Sequence, residues 1–260
     1  MQIKLLDKGQ FIGYNQTFKT KKKTWIAVIG IGYGDGLNRL LKGLSKVKKF
    51  SEDAYTAEDD FWKIFSWLGE SKRLKNASKS LNNCDFYIGD ITKEKVIKKI
   101  FKNIKKKIGK LDFLICNYGN SDFKKNNLDF RNSFEKNFFS TVNTIKYFLP
   151  ISKKNISKIV CVSSICGIEN IKGAPIAYSV AKSAINNYVK VMSSFLGEKK
   201  ITINAVAPGN IYFKGSVWEK KMKKNKKQVS RYIRNNVPIN TFGKISDIFS
   251  VCKTIINSET

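Results

Sequence analysis

The sequence contains no histidine. That absence removes imidazole as a general base, excludes Ser-His-Asp catalysis and takes away the ligand on which most transition-metal sites depend. Proton chemistry falls to tyrosine, lysine, aspartate, glutamate or cysteine, and no metal site is expected. Cysteine is scarce: Cys84, Cys116, Cys161, Cys166 and Cys252 show no CxxC pair and no metal-ligand spacing. Several fall in apolar runs, so buried free thiols in a reducing compartment are expected. Long apolar runs are missing too. The longest uncharged one, near Trp25 to Gly32, is far too short to span a bilayer. The first residues, Met-Gln-Ile-Lys-Leu-Leu-Asp-Lys, lack the apolar centre of a signal peptide. These features predict a soluble, cytoplasmic protein with no membrane partner.

Acidic residues are few. Twenty Asp and Glu face 49 Lys and Arg, a formal net charge of +29. Such an excess invites a nucleic-acid reading. The basic residues are nevertheless almost all lysine, with arginine only at positions 39, 73, 131, 231 and 234. Readers of nucleic acid lean on arginine for bidentate contacts. Abundant Lys, Asn and Ile together point to a genome biased toward A and T, so nucleic acid is not the expected partner. A basic binding protein for nucleic acid or acidic partners stands as an alternative.

What is present is a chain of 260 residues, long enough to bury a sizeable core as one α/β domain. Its most informative stretch runs from Lys158 to Lys182. Ile159 to Val162 is a short β-branched run that reads as a buried strand. Ser163 and Ser164 stand at its end, and a loop with Gly167, Gly173 and Pro175 follows. A helix opens near Tyr178, with Ala181, Ile185, Val189 and Met192 at helical spacing. Tyr178 and Lys182 are four apart and share a face. A hydroxyl at a strand's carboxyl end, facing a Tyr/Lys pair, is a candidate proton-transfer site. The bland alternative is a helix-surface pair beside a strand terminator.

The rest of the chain alternates strand and helix. Trp25 to Ile29 reads as a strand, and Gly30-Ile-Gly-Tyr-Gly-Asp-Gly36 as a glycine loop. Residues 45 to 70 are ambiguous, with a capped acidic helix start at Ser51 and a strand or helix at Lys63 to Leu68. Residues 71 to 82 read as a basic helix and Asp85 to Ile88 as a strand closed by Asp90. Thr92 is expected to cap a helix from Lys93 to about Ile108. Leu111 to Cys116 is a strand ending in Asn117-Tyr-Gly119, and a helix from about Phe134 to Phe148 contains Asn137. Ile201 to Val206 is a strand ending in Ala207-Pro208-Gly209. Residues 210 to 236 are a basic insertion, and a last helix spans about Ser246 to Ile256. The alternation predicts a parallel sheet with helices on both faces. Gly30, Gly34 and Gly36 have GxxxGxG spacing, which would let backbone approach a pyrophosphate at a helix N-terminus.

Two resemblances bear on this organisation. Gly13-Tyr-Asn-Gln-Thr-Phe18 and Ile31-Gly-Tyr-Gly-Asp-Gly-Leu-Asn-Arg39 resemble the start of the C-terminal β domain of alanine racemases. The resemblance covers residues 1–44 and would make Tyr14 a catalytic base. That family's pyridoxal-phosphate barrel, with its Schiff-base lysine, has no counterpart here, so racemase activity is not expected. Residues from about Glu70 to the end resemble the short-chain dehydrogenase/reductase family. The motifs stand in that family's order: Asp90, Asn117-Tyr-Gly119, Asn137, Ser164, Tyr178-x-x-x-Lys182 and Pro208-Gly209.

The second resemblance implies an α/β, Rossmann-like doubly wound parallel sheet over residues 45–260. It implies an NAD(P)-dependent oxidoreductase interconverting a carbonyl and an alcohol. Catalytic roles would fall to Asn137, Ser164, Tyr178 and Lys182, with Tyr178 as general acid/base and Lys182 lowering its pKa by charge. Cofactor contacts would come from Gly30, Gly34, Gly36, Asp90, Asn117, Gly119, Tyr178, Lys182, Pro208 and Gly209. Lys72 and Arg73 favour NADP over NAD. The insertion at 210–236, with Phe213, Trp218 and its lysines, corresponds to a substrate lid and suits an anionic or carrier-linked small molecule. The helices at Asn137 and Tyr178 would form homo-oligomer faces. Two departures stand out. The glycine loop lies about a dozen residues too early for one βαβ unit before Asp90, and the family's seventh strand is not found. The sheet is therefore expected to be incomplete at both ends. An inactive fusion of a racemase piece with a reductase is the alternative.

Overall fold

Short runs of aliphatic and β-branched residues build the centre of the molecule. The computed structural model describes residues 2–5, 26–30, 63–66, 87, 89–119, 128–153, 157–213 and 216–258. Among these, β2 (Ile26–Gly30), β4 (Phe113–Asn117), β5 (Lys158–Val162) and β6 (Thr202–Val206) form a four-stranded sheet in the order β2-β4-β5-β6. Every pairing in it is parallel. β1 (Gln2–Leu5) and β3 (Lys63–Ser66) form a separate antiparallel ribbon.

The apolar runs are nearly continuous because both faces of the sheet are covered. Leu114, Cys116, Ile159, Cys161 and Ile203 point to one side. There they pack under α1 (Glu94–Ile108), α3 (Ser140–Phe148) and α4 (Ile176–Gly197). Ile115, Val160 and Val206 point to the other, under α7 (Ile245–Asn257), which contributes Cys252 and Ile256. Helices on both faces of a parallel sheet are the expected α/β doubly wound arrangement. α1 shows how the sequence places itself. Ile97, Ile100, Phe101 and Ile104 recur at helical spacing and are buried, while its lysines line the outside.

Two polar ties anchor the end of the sheet remote from the strands' carboxyl termini. Asp112, 1% exposed just before β4, accepts two bonds from Lys153 Nζ at 2.8 and 3.0 Å. Lys158, which opens β5, donates from Nζ to the carbonyl and hydroxyl oxygens of Ser258, beyond the C-terminus of α7. A cation belongs there, because the last carbonyls of a helix carry negative partial charge.

Several elements differ from the expectations. The strand expected at Trp25 to Ile29 is Ile26–Gly30, and Lys63–Ser66 is a strand rather than a helix. Thr92 does not cap α1. The cap position is Lys93, whose side chain has no acceptor to offer, and the Thr92 hydroxyl donates instead to Asp90. The basic insertion at 210–236 contains two helices, α5 (Val217–Lys224) and α6 (Lys226–Asn236), capped by Ser216 and Asn225. The acidic helix start at Ser51, the basic helix at 71–82, and Asp85, Phe86 and Ile88 lie outside the described residues.

The place of β2 matters most. Its register pairs Ile26 with Phe113 and Gly30 with Asn117. The strand from the racemase-like stretch is thus hydrogen-bonded into the same sheet as β4, and its carboxyl end stands beside that of β4. Among the described residues the sheet ends at β2 on one side and at β6 on the other.

Candidate active site

Because β2, β4, β5 and β6 run parallel, their carboxyl ends meet along one edge, where ligands of open α/β sheets bind. Gly30, Asn117, Ser163 with Ser164, and Pro208 with Gly209 all stand there. The strand pairing continues past β5: Ser163 N donates to Val206 O at 2.7 Å and Ile165 N to Pro208 O at 2.9 Å.

The two serines diverge. Ser163 turns to α4, where its Oγ donates to the Lys182 carbonyl at 3.2 Å. Ser164 turns to the phenol of Tyr178, whose pKa it draws down. Ser164 Oγ also accepts from Cys166 N at 3.2 Å, at the head of the short turn Ile165–Gly167. Gly167 allows that turn to press on α4: a Cβ there would lie 2.6 Å from the Lys182 carbonyl carbon and 2.8 Å from Ser183 N. The Ser164-x-x-Gly167 spacing therefore has a steric reason.

Lys182, one helical turn after Tyr178, is 3% exposed. Its Nζ donates to Val162 O at 2.9 Å and lies 5.8 Å from the centre of the Tyr178 ring. Burial pushes the ammonium down to about 8, against an opposing pull from the Cys161 and Cys116 thiols. Burial also pushes the Tyr178 phenol up to about 12, and Ser164 works in the opposite direction. In this structure desolvation of the phenol dominates over the lowering expected from Lys182, whose Nζ donates to the Val162 carbonyl.

Asn137 is fully buried, at the bend of its helix. That helix begins earlier than expected, at α2 (Phe130–Phe134), with Asp129 capping Asn132 N at 3.1 Å. It then widens into a π-helical turn, Glu135–Phe139, before α3. Such turns are frequent at functional sites. Side-chain bonds from Ser140 to Lys136 O and from Thr144 to Ser140 O accompany the distortion. Asn137 Nδ2 donates to Ser133 O at 3.0 Å. Its Oδ1 faces Gly119: a Cβ on Gly119 would lie 2.8 Å from Asn137 Oδ1 and 2.8 Å from Lys182 Nζ. Asn137, Gly119 and Lys182 thus converge, held by an edge-to-face contact of Phe138 with Tyr188 at 5.9 Å.

Asp90 stays peripheral: exposed, it accepts from Thr92 N at 3.0 Å and Thr92 Oγ1 at 2.7 Å. Gly209 has open space where a Cβ would be. Gly34, Gly36, Tyr14, Lys72 and Arg73 lie outside the described residues. The sequence reading missed one pair, Cys116 and Cys161. They are register partners on β4 and β5, and burial holds the Cys116 thiol well above its usual pKa. Both stand just before a strand's carboxyl end, the signal that would have found them. In the insertion, Trp218 of α5 packs on Tyr232 of α6 and on Phe242, at 5.1 and 5.3 Å between ring centres.

The sequence pattern described as enoyl-(acyl carrier protein) reductase matches residues 64–259, and that of the alanine racemase C-terminal domain matches residues 1–53. The first match covers well over half of the chain. The chain belongs to the short-chain dehydrogenase/reductase family. Among curated relatives, it is 27% identical over 163 residues to isoepoxydon dehydrogenase patN of Penicillium expansum, 62% of each chain. It is 31% identical over 125 residues to 7alpha-hydroxysteroid dehydrogenase of Escherichia coli K12, 47% of this chain and 49% of that one. It therefore spans about half to two thirds of these relatives' length. An NADPH-bound short chain oxidoreductase from Pseudomonas aeruginosa PAO1 superposes with a TM-score of 0.70 at 18% identity, covering 88% of both chains. That likeness shows the short-chain dehydrogenase/reductase fold. Among the described residues, no helix is long and apolar enough to cross a membrane.

Proposed function

We propose that this chain is an NAD(P)-dependent oxidoreductase that interconverts a carbonyl and an alcohol, with Tyr178 as its general acid/base. One observation carries the reading: Ser164, Tyr178 and Lys182 bring a hydroxyl, a phenol and an ammonium together at the carboxyl edge of the parallel sheet. The edge is where open parallel sheets bind dinucleotides, and Gly119 lets the end of β4 close on Lys182 Nζ and Asn137 Oδ1. Lys182, Tyr178, Asn117 and Gly119 would hold its nicotinamide side. Asp90 would meet the adenine end, and Gly30 with Gly34 and Gly36 the pyrophosphate. When bound, the cofactor supplies or accepts the hydride.

The residues supply the proton. With its pKa near 12, Tyr178 is protonated at neutral pH and donates to the carbonyl oxygen. Ser164, whose Oγ accepts from Cys166 N–H, favours the phenolate left behind. Lys182 remains a cation below about pH 8 and adds its charge to the same end. Asn137, beside Lys182 across Gly119, would hold a water that links Lys182 to solvent. In the oxidative direction Tyr178 accepts the alcohol proton.

We read residues 1–44 as the donor of the first strand and glycine loop to this domain at 45–260, on the strength of the β2–β4 pairing. NADP is favoured over NAD by Lys72 and Arg73. The lysines of α5 and α6 suit an anionic or carrier-linked substrate. Ile176, Val180, Val191 and Phe195 leave an apolar stripe along α4 that fits a second copy of the chain, and the free thiols suit the cytoplasm. The test is turnover of reduced nicotinamide with a panel of ketones and aldehydes. Turnover abolished in Tyr178→Phe supports the reading; turnover unchanged in that variant sinks it.

A further inference from the structure

We infer that Asn186 is a positioning residue: its amide ties the loop that carries Ser164 to the helix that carries Tyr178 and Lys182, and so sets where the Ser164 hydroxyl stands relative to the Tyr178 phenol. The inference rests on the proposed roles of those three residues. Asn186 lies one turn beyond Lys182 and two beyond Tyr178, on the same face of α4. Its Nδ2 donates to Gly167 O at 3.1 Å.

The consequence follows from how the loop is held. Its first half is pinned to the strand side, through Ser163 N to Val206 O and Ile165 N to Pro208 O. Its second half must be pinned to α4 if Ser164 is to keep its distance from a phenol on that helix. Gly167 makes the close approach possible, and the Asn186 amide holds the approach in place. Between the two anchors sits Cys166, whose N–H donates to Ser164 Oγ at 3.2 Å. A slip at Gly167 therefore reaches Ser164 through one hydrogen bond. The other tie in this region, Ser163 Oγ to Lys182 O, fixes the strand end rather than the turn.

Cys166 provides a readout that does not depend on activity. It is half-buried within the turn, whereas Cys116, Cys161 and Cys252 are buried. Asn186→Leu removes the donor at similar size, and Asn186→Asp sets an acceptor against the Gly167 carbonyl. In both variants, alkylation of Cys166 by iodoacetamide, followed on its peptide by mass spectrometry, is expected to quicken roughly tenfold as the turn opens locally. With the carbonyl probe that the unaltered protein reduces, kcat is expected to fall roughly 10- to 100-fold. The Kd for NADPH should stay within about twofold, since Lys182 is untouched. Unchanged alkylation in both variants overturns the inference. So does faster alkylation with unchanged kcat, which would leave Asn186 a purely structural tie. If the unaltered protein reduces no probe with either nicotinamide, the proposed reaction fails, and the alkylation rates still decide whether Asn186 holds the turn.

Discussion

Gly119 and Lys182 meet without room to spare: a Cβ on Gly119 would lie 2.8 Å from the lysine Nζ. Gly119→Ala must push Lys182 off the Val162 carbonyl, or Asn137 off its place, or both. Displacing a positioned group by about 1 Å can cost on the order of 100-fold. We expect kcat/KM to fall by about that factor in Gly119→Ala, with the thermal transition little changed, because the atoms that must yield are the ends of two side chains. An alanine variant with wild-type kinetics would show that the slot is not used.

Burial of Lys182 makes a pH prediction. Its folded pKa of about 8 lies below its ordinary 10.5. The unfolded chain therefore binds more protons between those values, and stability rises with pH there. The rise from this residue amounts to about 2 kcal/mol between roughly pH 8 and pH 10. Urea unfolding of the protein and of Lys182→Met at both ends of that window measures it; the variant should show a shallower slope. For activity the sign is opposite: the reduction rate should decline above about pH 8 as the cation is lost, and Lys182→Arg should move that limb upward.

The Asp112–Lys153 pair is a stability element. Lys153→Met leaves a carboxylate that is 1% exposed without its main cation, which is expected to cost about 3 kcal/mol. Adding Asp112→Asn to that variant should recover part of the loss. Denaturant melts of the single and double variants test this. Additive losses would mean that the two side chains act independently.

The residues of the candidate site were legible because they sit at local spacings. Tyr178 and Lys182 follow from one helical turn, and Ser164 with Gly167 from a strand end and a turn. What stayed hidden depends on tertiary contact. The π turn at Asn137 arises where Phe138 docks on Tyr188 and where Ser140 and Thr144 bond back along the helix. The rise of the Tyr178 pKa is a burial effect, and burial is invisible to spacing. Thr92 looked like a cap because the sequence does not show that Asp90 reaches it first. The register of β2 against β4 joins residues far apart in the chain. A glycine loop counted back from Asp90 could therefore look misplaced while its strand was paired in the sheet.

That register gives its own prediction. Val28 pairs with Ile115 in the middle of the ladder. Val28→Pro would break the ladder at its centre, with a cost of about 3 kcal/mol for a proline in such a place. The thermal transition of the whole protein should drop. A silent Val28→Pro would show that the racemase-like stretch is not part of the working sheet.

The central claim is that Tyr178 moves the proton while the sheet edge holds a nicotinamide. The direct measurement is NADPH binding by fluorescence together with single-turnover oxidation of NADPH by a carbonyl probe, in the unaltered protein and in Tyr178→Phe. We predict that both bind NADPH alike, and that oxidation slows by roughly 100- to 10,000-fold in the variant, the range of one acid/base group. Equal rates in the two proteins, or no binding of NADPH or NADH by either, would contradict the account.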